Sequence, residues 1–292
     1  MSKLLLNIEA DEILYRSAFA VEKQAYKLVT PKKTYDFGNK HTKSQIIQKV
    51  KTLALKEFSL EGYKITEPLE HAIYIVKSQL KSLNNIGALN LWLSPSNGSN
   101  FRFKLAKTPG PKGLGYKANR PARPLHYASI REYLIKHWGA QEIDGFEADD
   151  ALHIYQTDNT IASHIDKDIS MIEGKHYHWV TQERYVVDGG IGVLPTKNQR
   201  GTGKAFFFHQ MLTGDSVDNI PGIPNLGPVK SSKILSECKT ELDMAYKVFK
   251  IYNEYYKEKA IDTYYEIADL LYIVGPDYNR GSDYIKQLGV VL

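Results

Sequence analysis

Cysteine is almost missing from this chain of 292 residues: Cys238 stands alone. An internal disulfide and a thiolate-rich zinc site are therefore both excluded, and any metal must sit on oxygen or nitrogen ligands. No apolar run approaches the roughly 18 to 20 residues that a membrane helix requires. The amino-terminal Leu4-Leu5-Leu6 meets Glu9 and Asp11 too soon for a signal peptide, so the cytoplasm is the expected compartment and a membrane is not an expected partner. Internal repeats and low-complexity tracts are absent as well. What remains, 42% hydrophobic and 24% charged residues, is the balance of an ordinary globular protein with one large domain or two modest ones.

A second absence is local. Between Phe101 and Arg131 there is no Asp or Glu, while Arg102, Lys104, Lys107, Lys112, Lys117, Arg120, Arg123 and Arg131 all fall there, more positive charge than the whole chain's net +5. Pro109, Pro111, Pro121 and Pro124 with Gly110, Gly113 and Gly115 break the stretch up, so a loop or loosely helical arch is expected. A solvated linker would read the same way. Tyr116 and Tyr127 favour the alternative, because cations interleaved with rings suit a single nucleic-acid strand.

Lys3 to Ile8 reads as a buried strand, and Glu12 to Val21 as a helix with Ile13, Leu14, Ser17 and Ala18 on one side. Residues 22–43 are polar, basic and poorly periodic, and read as an insertion. Ser44 can cap a helix carrying Ile46, Ile47, Val50, Leu53 and Ala54. A helix over His71 to Leu83 then leads to a strand at Ala88 to Leu93, so the basic stretch opens at a strand's carboxyl end, where open α/β sheets bind ligands. Ser129 to Trp138, the segment after Gly145, and Tyr246 to Leu271 are expected helices. Phe206, Phe207 and Phe208 read as core, His176 and His178 as alternating strand residues, and the tyrosines at 252, 255, 256, 264 and 265 as packing rings.

Three acidic groups stand beside turn signals: Glu147, Asp149 and Asp150; Asp166 and Asp168; Asp215 and Asp218. Each alone fits ordinary helix capping or a surface turn. Together they suit Mg²⁺ or Mn²⁺, which take oxygen ligands and, as a pair about 3.5 to 4 Å apart, support in-line phosphodiester displacement.

The ordered series Tyr116-Lys117-Ala118-Asn119-Arg120, Gly145-Phe146-Glu147-Ala148-Asp149-Asp150, Asp166-Lys167-Asp168 and Leu212 to Ile223 (LTGDSVDNIPGI) resembles the 5′ nuclease family, which includes the 5′ nuclease domain of bacterial DNA polymerase I and phage 5′-3′ exonucleases and flap endonucleases. The first hundred residues match only through a strand and Tyr15-Arg16. The resemblance implies an α/β fold: a PIN-like, Rossmann-type, mostly parallel sheet with flanking helices in residues 1–205, a basic arch about 101–127, and a helical part 206–292 with a helix-hairpin-helix element about 212–235. It implies a hydrolase using Mg²⁺ or Mn²⁺, two ions, and admits a K⁺ at the hairpin element. Metal ligands would be Glu9, Asp11, Glu147, Asp149, Asp150, Asp166, Asp168, Asp215 and Asp218. Lys117 and Arg120 would hold the scissile phosphate with Asp149 and Asp150 in the catalytic set. Tyr116 would stack on a base. Arg102, Lys104, Lys107, Lys112 and Arg123, with Gly222, Gly227, Lys230 and Lys233, would contact nucleic acid.

Two positions depart from the family pattern. Glu9, with Asp11 close by, stands where the first-strand aspartate is expected, and Ser94 or Ser96 where a second aspartate is expected. A structure-specific 5′ nuclease acting on DNA with a 5′ flap, nick or end is the leading expectation, as a monomer in the cytoplasm (the host's, for a phage-encoded member). RNA–DNA hybrids are a further substrate, and replication proteins are candidate partners. A catalytically weakened DNA-structure-binding relative and a PIN-type ribonuclease are the alternatives.

Overall fold

The computed structural model describes residues 4–52 and 57–290. In chain order the elements are β1 (Leu5–Glu9), α1 (Ala10–Ala20), β2 (Glu22–Val29), β3 (Thr34–Gly38), α2 (Lys43–Thr52), β4 (Ser59–Thr66), α3 (Leu69–Asn84) and β5 (Ala88–Trp92). There follow α4 (Arg102–Leu105), α5 (Tyr127–Trp138), α6 (Ala148–Ile154), β6 (Thr160–His164), β7 (Gly174–His178) and β8 (Glu183–Val187). The remainder is helical: α7 (Gly203–Thr213), α8 (Pro228–Leu235), α9 (Glu241–Tyr256), α10 (Ala260–Leu271) and α11 (Gly281–Gln287). Leu53 and Ala54, expected on the helix after Ser44, lie outside the described residues, as does Lys3. Among the described residues no helix is long and apolar enough to cross a membrane.

Two compact units emerge, one from Met1–Glu12, Leu83–Pro121 and Gly139–Leu292, the other from Ile13–Ser82 and Ala122–Trp138. In the first, five strands run in the order β5-β1-β6-β7-β8; β5, β1, β6 and β7 are parallel and β8 is antiparallel to β7. A parallel strand covered on both faces reads as a continuous buried run, and β6 is buried from Thr160 to His164. Leu6 and Ile8 of β1 are likewise fully enclosed. The core of this unit joins Trp92, Ala151, Leu152 and Ile169 to Phe206, Phe207, Phe208, Tyr252 and Tyr264. The three phenylalanines and two of the tyrosines are thus core, as their sequence context suggests. The carboxyl-terminal helices share this core with the sheet, so the compact units do not divide near residue 205.

The second unit corrects the reading of residues 22–43 as an aperiodic insertion. They form most of an antiparallel sheet, β3-β2-β4, whose face packs on α2 through Leu28, Ile46 and Val50 with Tyr26, Phe37 and Leu60. A register shift between Tyr26 and Lys27 interrupts the two-residue alternation, and every position of β3 is at least partly exposed. Lysine and tyrosine therefore occupy places where an apolar stripe would have announced the strands.

Candidate active site

Parallel strands send their carboxyl ends to one edge, so β1 delivers Glu9 and β6 delivers the turn carrying Asp166 and Asp168 to the same place. Gly145, at φ +85°, turns the chain into α6, which Glu147 precedes as N-cap and whose first turn adds Asp149 and Asp150. Asp215 and Asp218 arrive on the loop after α7, where Gly214 at φ +67° allows the exit from the helix.

The acids form three groups. Glu9 is buried, and its carboxyl is pushed well above the usual range by burial, then by the charges of Asp149, Glu12, Asp166 and Asp11. Asp149 is raised for the same reasons, burial first and then Asp166 and Glu147. Glu9 Oε2 is enclosed without a hydrogen-bond partner.

In the second group, Glu147 and Asp218 face Lys117. The Lys117 ammonium bonds Glu147 Oε1 and lies 3.6 Å from Asp218 Oδ2, while Arg120 donates to Asp218 Oδ1 at 2.6 Å. Burial alone would raise the Glu147 carboxyl, but Lys117 and Arg102 hold it down at about 2. In the third, Lys167 donates to Asp168 Oδ1 at 2.7 Å and to Asp215 Oδ2 at 2.8 Å. Asp168 is nonetheless pushed up to about 7, by burial and then by Asp166.

Several expected roles are corrected. Arg102 is 3% exposed and cannot reach a nucleic acid; its guanidinium forks onto Asp150 at 2.7 and 2.8 Å and donates to the carbonyls of Leu270 and Tyr272. Asp150 also accepts from the N–H groups of Glu147 (2.9 Å) and Val274 (2.8 Å), so its oxygens are already spent and it is a structural anchor rather than a metal ligand or catalytic acid. Tyr116 is buried, with its hydroxyl 2.8 Å from Glu147 and 3.0 Å from Asp218, and its ring is not available to stack on a base. Asp11 accepts from the Ser94 N–H at 2.8 Å, and the Ser94 hydroxyl accepts from Ala148 N–H at 3.0 Å. Ser94 therefore positions the start of α6 instead of supplying a charge, while Ser96 is exposed. Glu12 escaped sequence reading; it joins the acids around Glu9 and accepts from Ile165 N–H at 2.7 Å. Its place one turn beyond Glu9 at a helix start was the available signal.

The basic stretch is anchored to the same place. Asn219 donates to the carbonyls of Gly113 (2.9 Å) and Gly115 (2.8 Å) and accepts from Lys112 N–H (2.8 Å), and Lys117 N–H bonds the Asp218 carbonyl at 2.8 Å. A Cβ on Gly110 would stand 1.8 Å from the Asn219 carbonyl oxygen, so only glycine fits there. Lys104, Lys107 and Lys112 are exposed on this stretch; Arg123, in the second unit, is exposed over the Tyr127 ring at 4.5 Å.

In the hairpin element, α7 and α8 flank a turn with Asn225 at φ +63°, a backbone that asparagine tolerates. The tight approach at Gly222 is to the chain itself, since a Cβ would meet the Thr213 carbonyl oxygen at 2.2 Å, whereas Gly227 has open space and leads into α8. Lys230 and Lys233 are exposed on that helix.

The histidines near this edge are structural. His164 Nδ1 donates to the Asp166 carbonyl (2.7 Å) and His176 Nε2 to that of Ile172 (2.8 Å), so each neutral ring spends its single N–H on the backbone. Tyr185 stacks on His176 at 4.7 Å. Burial holds His176 down at about 4 and, with His176 adding repulsion, His164 at about 3. These rings take up protons in the unfolded chain first. Stability is then complete above about pH 6.5 and falls as pH drops toward 4, by at most about 1.4 kcal/mol per pH unit for each ring. Urea titrations at pH 7.5, 6 and 5 should show this slope, and His176→Phe should flatten it by about one proton; an unchanged slope in the variant would remove His176 from the account.

All the converging donors are oxygens, and Glu9 Oε2 is a buried acceptor in need of a partner, which fits a hard divalent cation. Among the described residues no three His, Cys, Asp or Glu side chains stand ready to hold an ion. Four of the acids, Glu147, Asp168, Asp215 and Asp218, are instead turned onto Lys117, Arg120 and Lys167.

Compared with known proteins, the chain is 34% identical over 135 residues to DNA polymerase I of Rhizobium leguminosarum, a match covering 42% of this chain and 13% of the polymerase. It is 25% identical over 214 residues to a 5′-3′ exonuclease of Aquifex aeolicus, covering 59% of this chain and 68% of that protein. The chain is similar to a 5′-3′ exonuclease and to part of a DNA polymerase I. It thus spans about an eighth of the polymerase it matches and about two thirds of the exonuclease. No family model matches the chain. Among solved structures, T5 5′-exonuclease with bound divalent zinc ions is 16% identical, with a TM-score of 0.47 over 98% of this chain and 97% of that one.

Proposed function

We propose that the chain is a structure-specific 5′ nuclease that hydrolyses phosphodiester bonds of DNA at a 5′ flap, nick or end. One observation carries this reading: carboxylates from four separate stretches, at residues 9–12, 147–149, 166–168 and 215–218, meet at the carboxyl edge of a parallel sheet, and the acid-free basic stretch is fastened to the last of them. Glu9, Asp149 and Asp166 would hold the first divalent cation, with Glu147, Asp168, Asp215 and Asp218 around it. Bound Mg²⁺ or Mn²⁺ would supply an activated water and stabilise the leaving oxygen.

The chain's own residues do the rest. Lys117 and Arg120 already lie on Glu147 and Asp218, so an incoming phosphate need only exchange places with those carboxylates to be gripped there. Tyr116 holds Glu147 and Asp218 in register beneath them. Lys104, Lys107 and Lys112 would track the 5′ strand, and Gly227 with Lys230 and Lys233 would take a duplex phosphate at the α8 start. In this sense residues 206–292 would supply the duplex grip together with Asp215 and Asp218, and 1–205 the rest of the cutting site. RNA–DNA hybrids, a K⁺ at the hairpin turn and replication partners belong to the same reading through the resemblance, and the chemistry requires none of them.

The test is cleavage of a 5′-labelled flap duplex in Mg²⁺, Mn²⁺ and EDTA, with binding followed in Ca²⁺ and an RNA-primed duplex in parallel. Short 5′ products with Mg²⁺ or Mn²⁺ and none in EDTA are expected. Tight flap binding without cutting under either metal would replace the reading with that of a DNA-structure binder.

A further inference from the structure

The three carboxylate groups differ in one respect: two carry a lysine of the chain itself and one does not. Lys117 sits on Glu147 and Asp218, and Lys167 bridges Asp168 and Asp215, while the buried Glu9 Oε2 beside Asp149 and Asp166 has no hydrogen-bond partner. We propose that Lys167 is a built-in counter-cation of the Asp168–Asp215 pair, and that a second divalent ion binds there by displacing it after a first has entered at Glu9, Asp149 and Asp166. This rests on the metal-dependent reading above.

The geometry suits displacement. The Lys167 side chain is 53% exposed, whereas that of Asp215 is 6% exposed, so the cation can swing into water while the carboxylates stay. They stay because other groups hold them: Asp215 Oδ1 accepts from the N–H of Val217 at 2.7 Å and of Asp218 at 3.2 Å, and Asp168 Oδ1 accepts from Gln210 Nε2 at 2.7 Å. One ammonium leaves the pair with a net negative charge, and a divalent ion would cancel it. An exposed stem with a strongly hydrated head costs little to release. The lysine thus keeps the buried Asp215 and half-buried Asp168 carboxylates from repelling each other in the metal-free protein, and makes the second ion conditional on competition.

The measurement is calorimetric titration of the metal-free full chain with MnCl₂, paired with the electron paramagnetic resonance signal of free Mn²⁺, for the native protein, Lys167→Gln and Lys167→Arg. Circular dichroism and urea unfolding would confirm that both variants fold. Two binding steps are expected in the native protein. Lys167→Gln should tighten the second by about tenfold, roughly 1.4 kcal/mol, and leave the first within about twofold. Lys167→Arg, which keeps the charge, should bind like the native protein. A second step that is unchanged or weakened in Lys167→Gln overturns the proposal while leaving the nuclease reading standing. Absence of any Mn²⁺ binding, in native protein and variants alike, overturns the metal-dependent reading and the proposal with it.

Discussion

Substituting Asp149 with alanine should lower flap cleavage by about 10³-fold or more while Ca²⁺-supported flap binding stays within a few-fold. Asp149 sits in the one acidic group with no lysine of its own, where burial and the neighbouring Asp166 and Glu147 hold its carboxyl well above the usual range. That energetic cost is one a divalent cation relieves, and losing the cation's stabilisation of transition-state charge is worth several kcal/mol. Single-turnover cleavage with enzyme in excess, beside a fluorescence-anisotropy titration of the same flap in Ca²⁺, separates chemistry from binding. Turnover at the native rate would remove Asp149 from the mechanism, and parallel loss of binding and cleavage would make it a structural residue. The same variant should lose the larger share of the thermal stabilisation that Mg²⁺ gives the native protein, since an ion bound only by the folded state stabilises it by mass action.

Replacing Arg102 with leucine should cost the fold about 3 to 5 kcal/mol, the penalty for stranding one partner of a buried ion pair. Both members are almost entirely enclosed, at 3% and 0% side-chain exposure, and the loss would leave Asp150 with only its two backbone donors and the carbonyls of Leu270 and Tyr272 without their guanidinium. Equilibrium urea unfolding measures the effect. DNA affinity of the folded fraction should change little, because the guanidinium faces the interior. A normal unfolding midpoint combined with weakened DNA binding would restore the phosphate-steering role that its place in the basic stretch suggests.

That contrast shows what the sequence could disclose. Order and spacing marked Glu147, Asp149, Asp166, Asp168, Asp215 and Asp218 as candidates, but that they lie near one another follows only from the parallel strands and the helix start that carry them. Charge counting marked the stretch from Phe101 to Arg131 but could not tell an inward arginine from outward lysines. Arg102 and Lys104 differ by two positions on a four-residue helix, and only the packing against Leu270 and Tyr272 decides that the first is buried and the second exposed. Likewise Tyr116 looked like a stacking ring because its neighbours are basic, whereas its partners Glu147 and Asp218 lie 31 and 102 residues away. The antiparallel sheet of the second unit stayed hidden for a different reason: its strands expose most of their residues, so hydrophobic alternation, the signal on which strand reading depends, was too weak to count.

The fastening of the basic stretch by Asn219 has a consequence for how the molecule is made. Its bonds to Lys112, Gly113 and Gly115 close loops of 104 to 107 residues, and Glu9, at the other end of the acid cluster, is further still from Asp218. Contacts this distant in sequence carry a loop-closure cost and form after local helices and hairpins have settled. On a ribosome, where the chain emerges from its amino terminus, the full acid cluster and its fastened basic stretch cannot exist until residue 219 is out. A nascent chain would before then carry every basic residue of the stretch from Phe101 to Arg131, with the carboxylates of Asp215 and Asp218 that Lys167, Lys117 and Arg120 pair with still to come.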